Sequence, residues 1–201
     1  MLDARLRPLI DPPLDAAGRW LARIGVTANL VSTAGIAVGI AAGAALAYGH
    51  FGLGLALVIA NRLLDGLDGA VARATRPSDF GGYLDIVGDF VFYLAVPLGF
   101  GLADPANLKS AMVLLACFGL TGTSFLAFAV LAAKRGLQTA AHGAKSFFYS
   151  TGLAEGTETI LAFILFCLWP AHFPAIALAY AGLCIVTVVQ RSFAAWAAFR
   201  D

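Results

Sequence analysis

The sequence predicts an all-α integral membrane protein: six transmembrane helices preceded by an N-terminal amphipathic helix lying in the membrane interface. Three observations carry this. Of 201 residues, 60% are hydrophobic and only 12% charged, with mean hydropathy +0.84, whereas a soluble domain carries about 25% charge. Six apolar stretches approach the roughly 20 residues a helix needs to cross hydrocarbon. All of the 13 Lys and Arg residues except Lys109 fall on one side of the resulting topology. A net charge of +1 offers no basic face for nucleic acid, and the composition excludes disorder. Cys117, Cys167 and Cys184 stand in separate apolar runs with no CxxC or His spacing. They are expected as small core residues, not as a disulfide framework or zinc site.

Residues 1–27 are too polar to cross and form a first unit, distinct from a six-span domain over 28–201. Leu14, Ala17, Leu21 and Ile24 share one helical stripe, and Asp15 and Arg19 are spaced to pair at i, i+4. Pro12-Pro13 suits a helix start, and Trp20 a headgroup-level anchor. The apolar stretch is too short and too acidic for a signal peptide. The spans follow at 28–48, 52–73, 81–102, 108–133, 147–169 and 173–199. Gly35, Gly39 and Gly43 recur at every fourth place in the first, a spacing that lets helices approach closely in lipid. Asp104-Pro105, Lys134-Arg135-Gly136 and Pro170 punctuate the later ones. Basic residues accumulate on the cytoplasmic side, which places both termini and the 74–80 loop in the cytoplasm, and the chain in a bacterial inner membrane.

Charges inside spans are costly, so each needs a reason. Asp65 and Asp68 are three apart, Asp85 and Asp89 four apart, and both spacings put the pair on one helical face. The short 74–80 loop makes spans two and three antiparallel neighbours, with all four carboxylates at similar depth. They cannot all ionise without cations between them. With only oxygen ligands on offer, the set suits a hard divalent ion, Mg²⁺ or Mn²⁺. Other readings of the same acids are a proton or divalent-cation pathway, or structural pairs with Arg62 and Arg73.

The surrounding residues narrow this. Asp65-Gly66-Leu67-Asp68-Gly69-Ala70-Val71-Ala72-Arg73, followed by Gly81 and then Asp85 and Asp89, resembles the signature of the CDP-alcohol phosphotransferase (CDP-alcohol phosphatidyltransferase) family. Every fixed residue is present, although seven residues separate Arg73 from Gly81 where the family pattern has eight. Gly69 and Gly81 lack side chains that would keep a pyrophosphate from the backbone, and Ala72 keeps room beside it. Arg73 is a permanent bidentate donor suited to phosphate. The resemblance implies that Asp65, Asp68, Asp85 and Asp89 hold two divalent ions. Asp89 would also take the acceptor's hydroxyl proton, and the nucleotide would lie against Gly69, Ala72, Arg73 and Gly81. It also implies a homodimer and a reaction: a CDP-linked lipid, CDP-diacylglycerol preferred, gives its phosphatidyl group to a small alcohol and releases CMP. A CDP-choline or CDP-ethanolamine donor acting on diacylglycerol is the alternative within the family. Asn29 and Ser32 stand beside this motif at the start of span one.

Acceptor choice must come from other polar residues. Lys145, Arg135 and Arg191 supply cations on the cytoplasmic side, favouring a phosphate-bearing acceptor such as glycerol 3-phosphate. Glu155 and Glu158 occupy the same half of the membrane and would favour serine, ethanolamine or inositol.

Overall fold

The computed structural model describes residues 3–136 and 152–200. Their regular structure is helical: α1 Asp3–Arg23, α2 Ala28–Ala47, α3 Phe51–Ala74, α4 Asp79–Ala103, α5 Leu108–Lys134, α6 Gly156–Leu168 and α7 Phe173–Phe199, with single 3₁₀ turns at Pro105–Asn107 and Pro170–His172. Local chemistry sets several boundaries. Thr27 caps α2 by accepting the Leu30 N–H, and Ser78 caps α4 by accepting the Gly81 N–H at 3.0 Å. Gly49 and Gly136 take positive φ just past α2 and α5, where a side chain would be strained.

Among the described residues, four segments are long and apolar enough to cross a bilayer: Ala28–Ala47, Asp79–Ala103, Pro105–Lys134 and Pro170–Phe199. The expected second span is the 24-residue α3, and Arg62, Asp65 and Asp68 set it apart from those four. The expected fifth span differs more. Residues 152–155 are not helical, and α6 has 13 residues. Glu155, at its N-cap, is extended (φ −111°, ψ −174°), and its carboxylate accepts the Gly152 N–H at 2.9 Å. The Ala154 N–H goes to Thr187 Oγ1 on α7 at 2.8 Å. Side chains thus satisfy backbone groups that a continuous helix would have satisfied itself.

The N-terminal helix also departs from expectation. It runs from Asp3 through Pro12-Pro13 instead of starting there, although each proline lacks the N–H for a bond four residues back. Docking on α3 supports it. A Cβ on Gly18 would lie 2.7 Å from the Ala70 carbonyl carbon, and one on Gly66 would lie 2.7 Å from Leu14 Cδ1. Part of the apolar stripe therefore meets protein, while Trp20 and Ile24 are exposed.

Phe92, Val96 and Phe100 of α4 centre the core, with Leu114 and Phe118 of α5, Phe163 and Phe166 of α6, and Phe173 and Tyr180 of α7. Phe100 stacks on Phe173 with centroids 4.6 Å apart. Lipid is as apolar as these side chains, so close packing must hold the helices together. Exposed Leu30, Ile40, Leu98, Met112, Val130 and Phe193 present the apolar surface that lipid covers. All three cysteines are buried and free.

The glycine stripe of α2 is used within the chain. A Cβ on Gly39 would lie 3.2 Å from both Asn61 Nδ2 of α3 and Phe92 Cβ of α4; one on Gly43 would lie 2.6 Å from the Ala95 carbonyl oxygen. α2 packs closely on both α3 and α4, which barely approach each other directly. The two acid-bearing helices therefore meet through long side chains, Arg62 of α3 on Asp89 of α4 among them, while the glycine face of α2 packs closely against both.

Candidate metal centre and its cavity

The first turns of α2 and α4 meet the last turns of α3, and the carboxylates converge there. Asp65, Asp68 and Asp85 each place one oxygen within 4.8 Å of the others. Asp68 is buried, Asp65 half-buried and Asp85 exposed. Ser32 Oγ donates to Asp68 Oδ2 at 2.6 Å, which orients that carboxylate. A cavity of about 20 Å³ lies among these groups, bounded also by Asn61, Gly88 and Asp89. That is about the room one water-sized sphere needs. Three converging carboxylates, with no sulfur or imidazole beside them among the described residues, and a space of that size fit a hard divalent ion. These residues could hold one and let it neutralise charge on a bound diphosphate.

Asp89 stands beside this group, on Arg62. Arg62 Nη1 donates to Asp89 Oδ1 at 2.9 Å and lies 3.5 Å from Asp65 Oδ2. The alternative of structural ion pairs is thus realised for Asp89. Sequence reasoning offered Arg62 only as a structural partner of these acids and did not notice Asn61, which is buried and accepts from Arg62 Nε and Nη2. A signal existed: Arg62 is one helical turn before Asp65 on the same face.

Of the expected nucleotide contacts, Gly69, Ala72 and Arg73 lie on the last turns of α3, and Gly81 on the first turn of α4. A Cβ on Gly69 would meet the Arg73 guanidinium at 3.3 Å, and one on Gly81 would meet Asn29 Oδ1 at 3.2 Å. Arg73 is exposed and binds Asp15 of α1 through Nη2 at 2.7 Å. Asp15 was expected on Arg19, its own-helix neighbour; docking of α1 brings it to α3 instead. Both partners of this pair are more than a third exposed, and water screens it to at most about 1 kcal/mol. Asp15→Asn is therefore expected to leave thermal stability nearly unchanged, and a melting-curve loss of several kcal/mol would contradict this.

A second cavity, of about 540 Å³, adjoins the carboxylates. Asp65, Asp85 and Asp89 line it, and so do Glu155, Thr157 and Arg191. Tyr93, Phe118, Phe125 and Tyr180 wall it, and Asp11 and Leu14 of α1 border it. Arg191 is buried and donates from Nη1 to the Thr121 carbonyl at 2.9 Å and to Ser124 Oγ at 3.0 Å. Glu158 does not line this cavity, and neither does Arg135. Arg135 instead donates to the Phe199 carbonyl at 2.9 Å and lies over the Phe199 ring, at the C-terminal end of α7 where a cation is favourable. Lys145 lies outside the described residues.

Comparison with known proteins agrees with this arrangement. The family model for CDP-alcohol phosphatidyltransferase matches residues 25–196. The chain is 46% identical over 193 residues to Inner membrane protein YnjF of Escherichia coli, spanning 95% of this chain and 93% of that one. It is 29% identical over 203 residues to archaetidylinositol phosphate synthase of Methanothermobacter thermautotrophicus, spanning 95% and 90%. Its fold matches phosphatidylinositol phosphate synthase (PgsA1) of Mycobacterium tuberculosis with TM-score 0.70, both with CDP-DAG bound (20% identity, 91% and 93% covered) and in complex with manganese and citrate (23% identity, 91% and 88% covered). A signature intact in sequence, three of its carboxylates converging in space, and a family match over most of the length lead to one conclusion: the chain belongs to the CDP-alcohol phosphatidyltransferase family and is a transferase.

Proposed function

We propose that the chain transfers a phosphatidyl group from CDP-diacylglycerol to a small phosphate-bearing polyol, releasing CMP, at a divalent-metal centre on Asp65, Asp68 and Asp85. The observation that carries this is that two of those carboxylates, Asp65 and Asp85, also line a cavity of about 540 Å³ whose wall includes Arg191. In the reaction, an acceptor hydroxyl oxygen bonds to the lipid-side phosphorus, and the bond from that phosphorus to the oxygen leaving with CMP breaks. Asp89 takes the hydroxyl proton through Oδ2, where Tyr93 Oη donates only at 3.5 Å, since Oδ1 is held by Arg62 at 2.9 Å. Gly69 and Gly81 leave the backbone open to the nucleotide, and Arg73 exchanges Asp15 for a donor phosphate.

A phosphate on the acceptor is supported by Arg191 in the cavity wall and by relatives named for inositol phosphate lipids. Glycerol 3-phosphate and an inositol phosphate are both candidates. The test is CMP release from purified protein with CDP-diacylglycerol or CDP-choline, with and without EDTA, across an acceptor panel. CMP is expected only with metal, CDP-diacylglycerol and a phosphorylated polyol. Product from free serine or inositol alone would reject the acceptor assignment, and metal flux in liposomes without CMP would favour a transporter. A charge-assisted contact contributes roughly 1.5–3 kcal/mol. Arg191→Gln is therefore expected to raise KM for the acceptor about 10–100-fold, leaving KM for the CDP donor unchanged. Ser124→Ala, which removes one bond of Arg191 but not its charge, should show neither effect.

The same reading completes the membrane arrangement. α3 and α6 join the four long apolar segments to make six spans, α1 lies in the interface, and the termini and site face the cytoplasm of a bacterial inner membrane. Cysteine labelling at 75–78 from the outside would reverse this orientation. A homodimer must use a face other than the glycine stripe of α2, which α3 and α4 occupy.

A further inference from the structure

Asp11 and Asp15 stand four apart in α1 and share one helical face. Docking turns that face toward the site. Leu14 seats on Gly66 and Gly18 on Ala70, so each contact advances by four residues on both helices. α1 therefore runs alongside the last turns of α3 in the same direction, about 6 Å of rise for each step. Asp11 borders the larger cavity, and Asp15 reaches Arg73.

The contact takes one edge of the guanidinium. Asp15 Oδ1 accepts from Arg73 Nε at 3.2 Å and from Nη2 at 2.7 Å. Nη1 is left beside Gly69, 3.3 Å from where a Cβ would stand, against the glycine expected to admit the nucleotide. Arg binds an oxyanion most strongly through two N–H groups on one edge. Asp15 thus holds, with like charge, an edge that a phosphate would take. Both partners are more than a third exposed, so water can replace either and the exchange costs little. α1 need not leave α3 for this. Gly18 rests on backbone and Cβ atoms of Ala70, independently of Asp15, and rotation of one side chain suffices.

We propose that Asp15 is a release device for the nucleotide. It competes with the phosphates of the donor and of CMP for Arg73, and it recaptures the guanidinium as CMP leaves, which keeps product inhibition weak. This rests on the nucleotide site of the proposed function and adds to it a residue of α1 that lies outside the signature. The experiment is calorimetric titration of the full-length purified protein in detergent with CMP and Mg²⁺, alongside the inhibition constant of CMP against CDP-diacylglycerol. Asp15→Asn is expected to bind CMP about two- to fivefold more tightly than wild type, the range an exposed pair can hold back. The inhibition constant should fall by the same factor, with KM for the acceptor unchanged. A merely structural contact, once lost, could only weaken binding. In an Arg73→Gln background the same substitution should have no effect, because the contested cation is gone. Equal or weaker CMP binding by folded Asp15→Asn overturns the proposal and leaves the functional reading intact. An equal gain in the Arg73→Gln background overturns it too, since general charge repulsion would then be the cause. No binding of CMP by wild type overturns both.

Discussion

Asp68→Asn should reduce CMP release by about 10³-fold or more and leave the bundle folded. The substitution keeps the shape of the side chain and an oxygen to accept from Ser32 Oγ, which now reaches Asp68 at 2.6 Å. It removes one of the three charges that would hold the ion. Loss of the ion's charge stabilisation is worth several kcal/mol in the transition state, and each 1.36 kcal/mol is tenfold in rate. Ser32→Ala should act more mildly, raising the Mn²⁺ dissociation constant about 10–100-fold, the usual effect of losing a partner that orients a ligand. CMP release and melting curves in detergent measure both. If Asp68→Asn kept a tenth of wild-type turnover, Asp68 could not be a metal ligand.

Gly43→Val should be the most destabilising single change among the α2 glycines. A Cβ there would lie 2.6 Å from the Ala95 carbonyl oxygen and 2.9 Å from Ala95 Cβ. These atoms are backbone and stub, so no flexible side-chain end can yield. Gly99, one turn further along the same face of α4, also lies against the Gly43 carbonyl, so the two backbones are in close contact over more than one turn. Overpacking of this kind costs about 1–3 kcal/mol or more, a fall in Tm of several degrees for a chain this size. Gly35→Ala is the control, since its Cβ would find Leu64 Cβ at 3.6 Å, an ordinary contact. Equal melting temperatures for Gly43→Val and Gly35→Ala would refute the glycine-contact account of the α2–α4 seam. Turnover should fall with stability in Gly43→Val, because α4 carries Asp85 and Asp89.

Much of the site was legible in the chain. Asp65 and Asp68 at i, i+3 share a helical face whatever surrounds them, and Asp85 stands in the second turn of the next helix after a short link. The convergence of these three in space follows from spacing and connection length. For Asp89 the chain offered two cations, Arg62 and Arg73, and did not say which. That choice depends on how α3 is rotated toward α4, and α2 bears on this rotation by packing on both. The acceptor residues show the same division. Arg191 and Glu155 line the cavity, while Arg135 bonds the end of α7 instead. Arg135 closes span four and Arg191 lies inside span six, but only the packing of α5 on α7 shows what each cation meets.

The sequence by itself determined the membrane class, the helices that Thr27 and Ser78 begin, and the shared face of Asp65 and Asp68. Each of these depends on neighbours within a turn or two, or on a sum over composition. The tertiary structure alone decided which cation meets which acid: Arg62 with Asp89, Arg73 with Asp15, Arg135 with the end of α7. Ion pairing falls off steeply with distance and angle, so a few degrees of helix rotation choose the partner. In this protein that rotation is set where helices distant in sequence touch through glycine: α1 on α3 at Gly18, and α2 on α4 at Gly43.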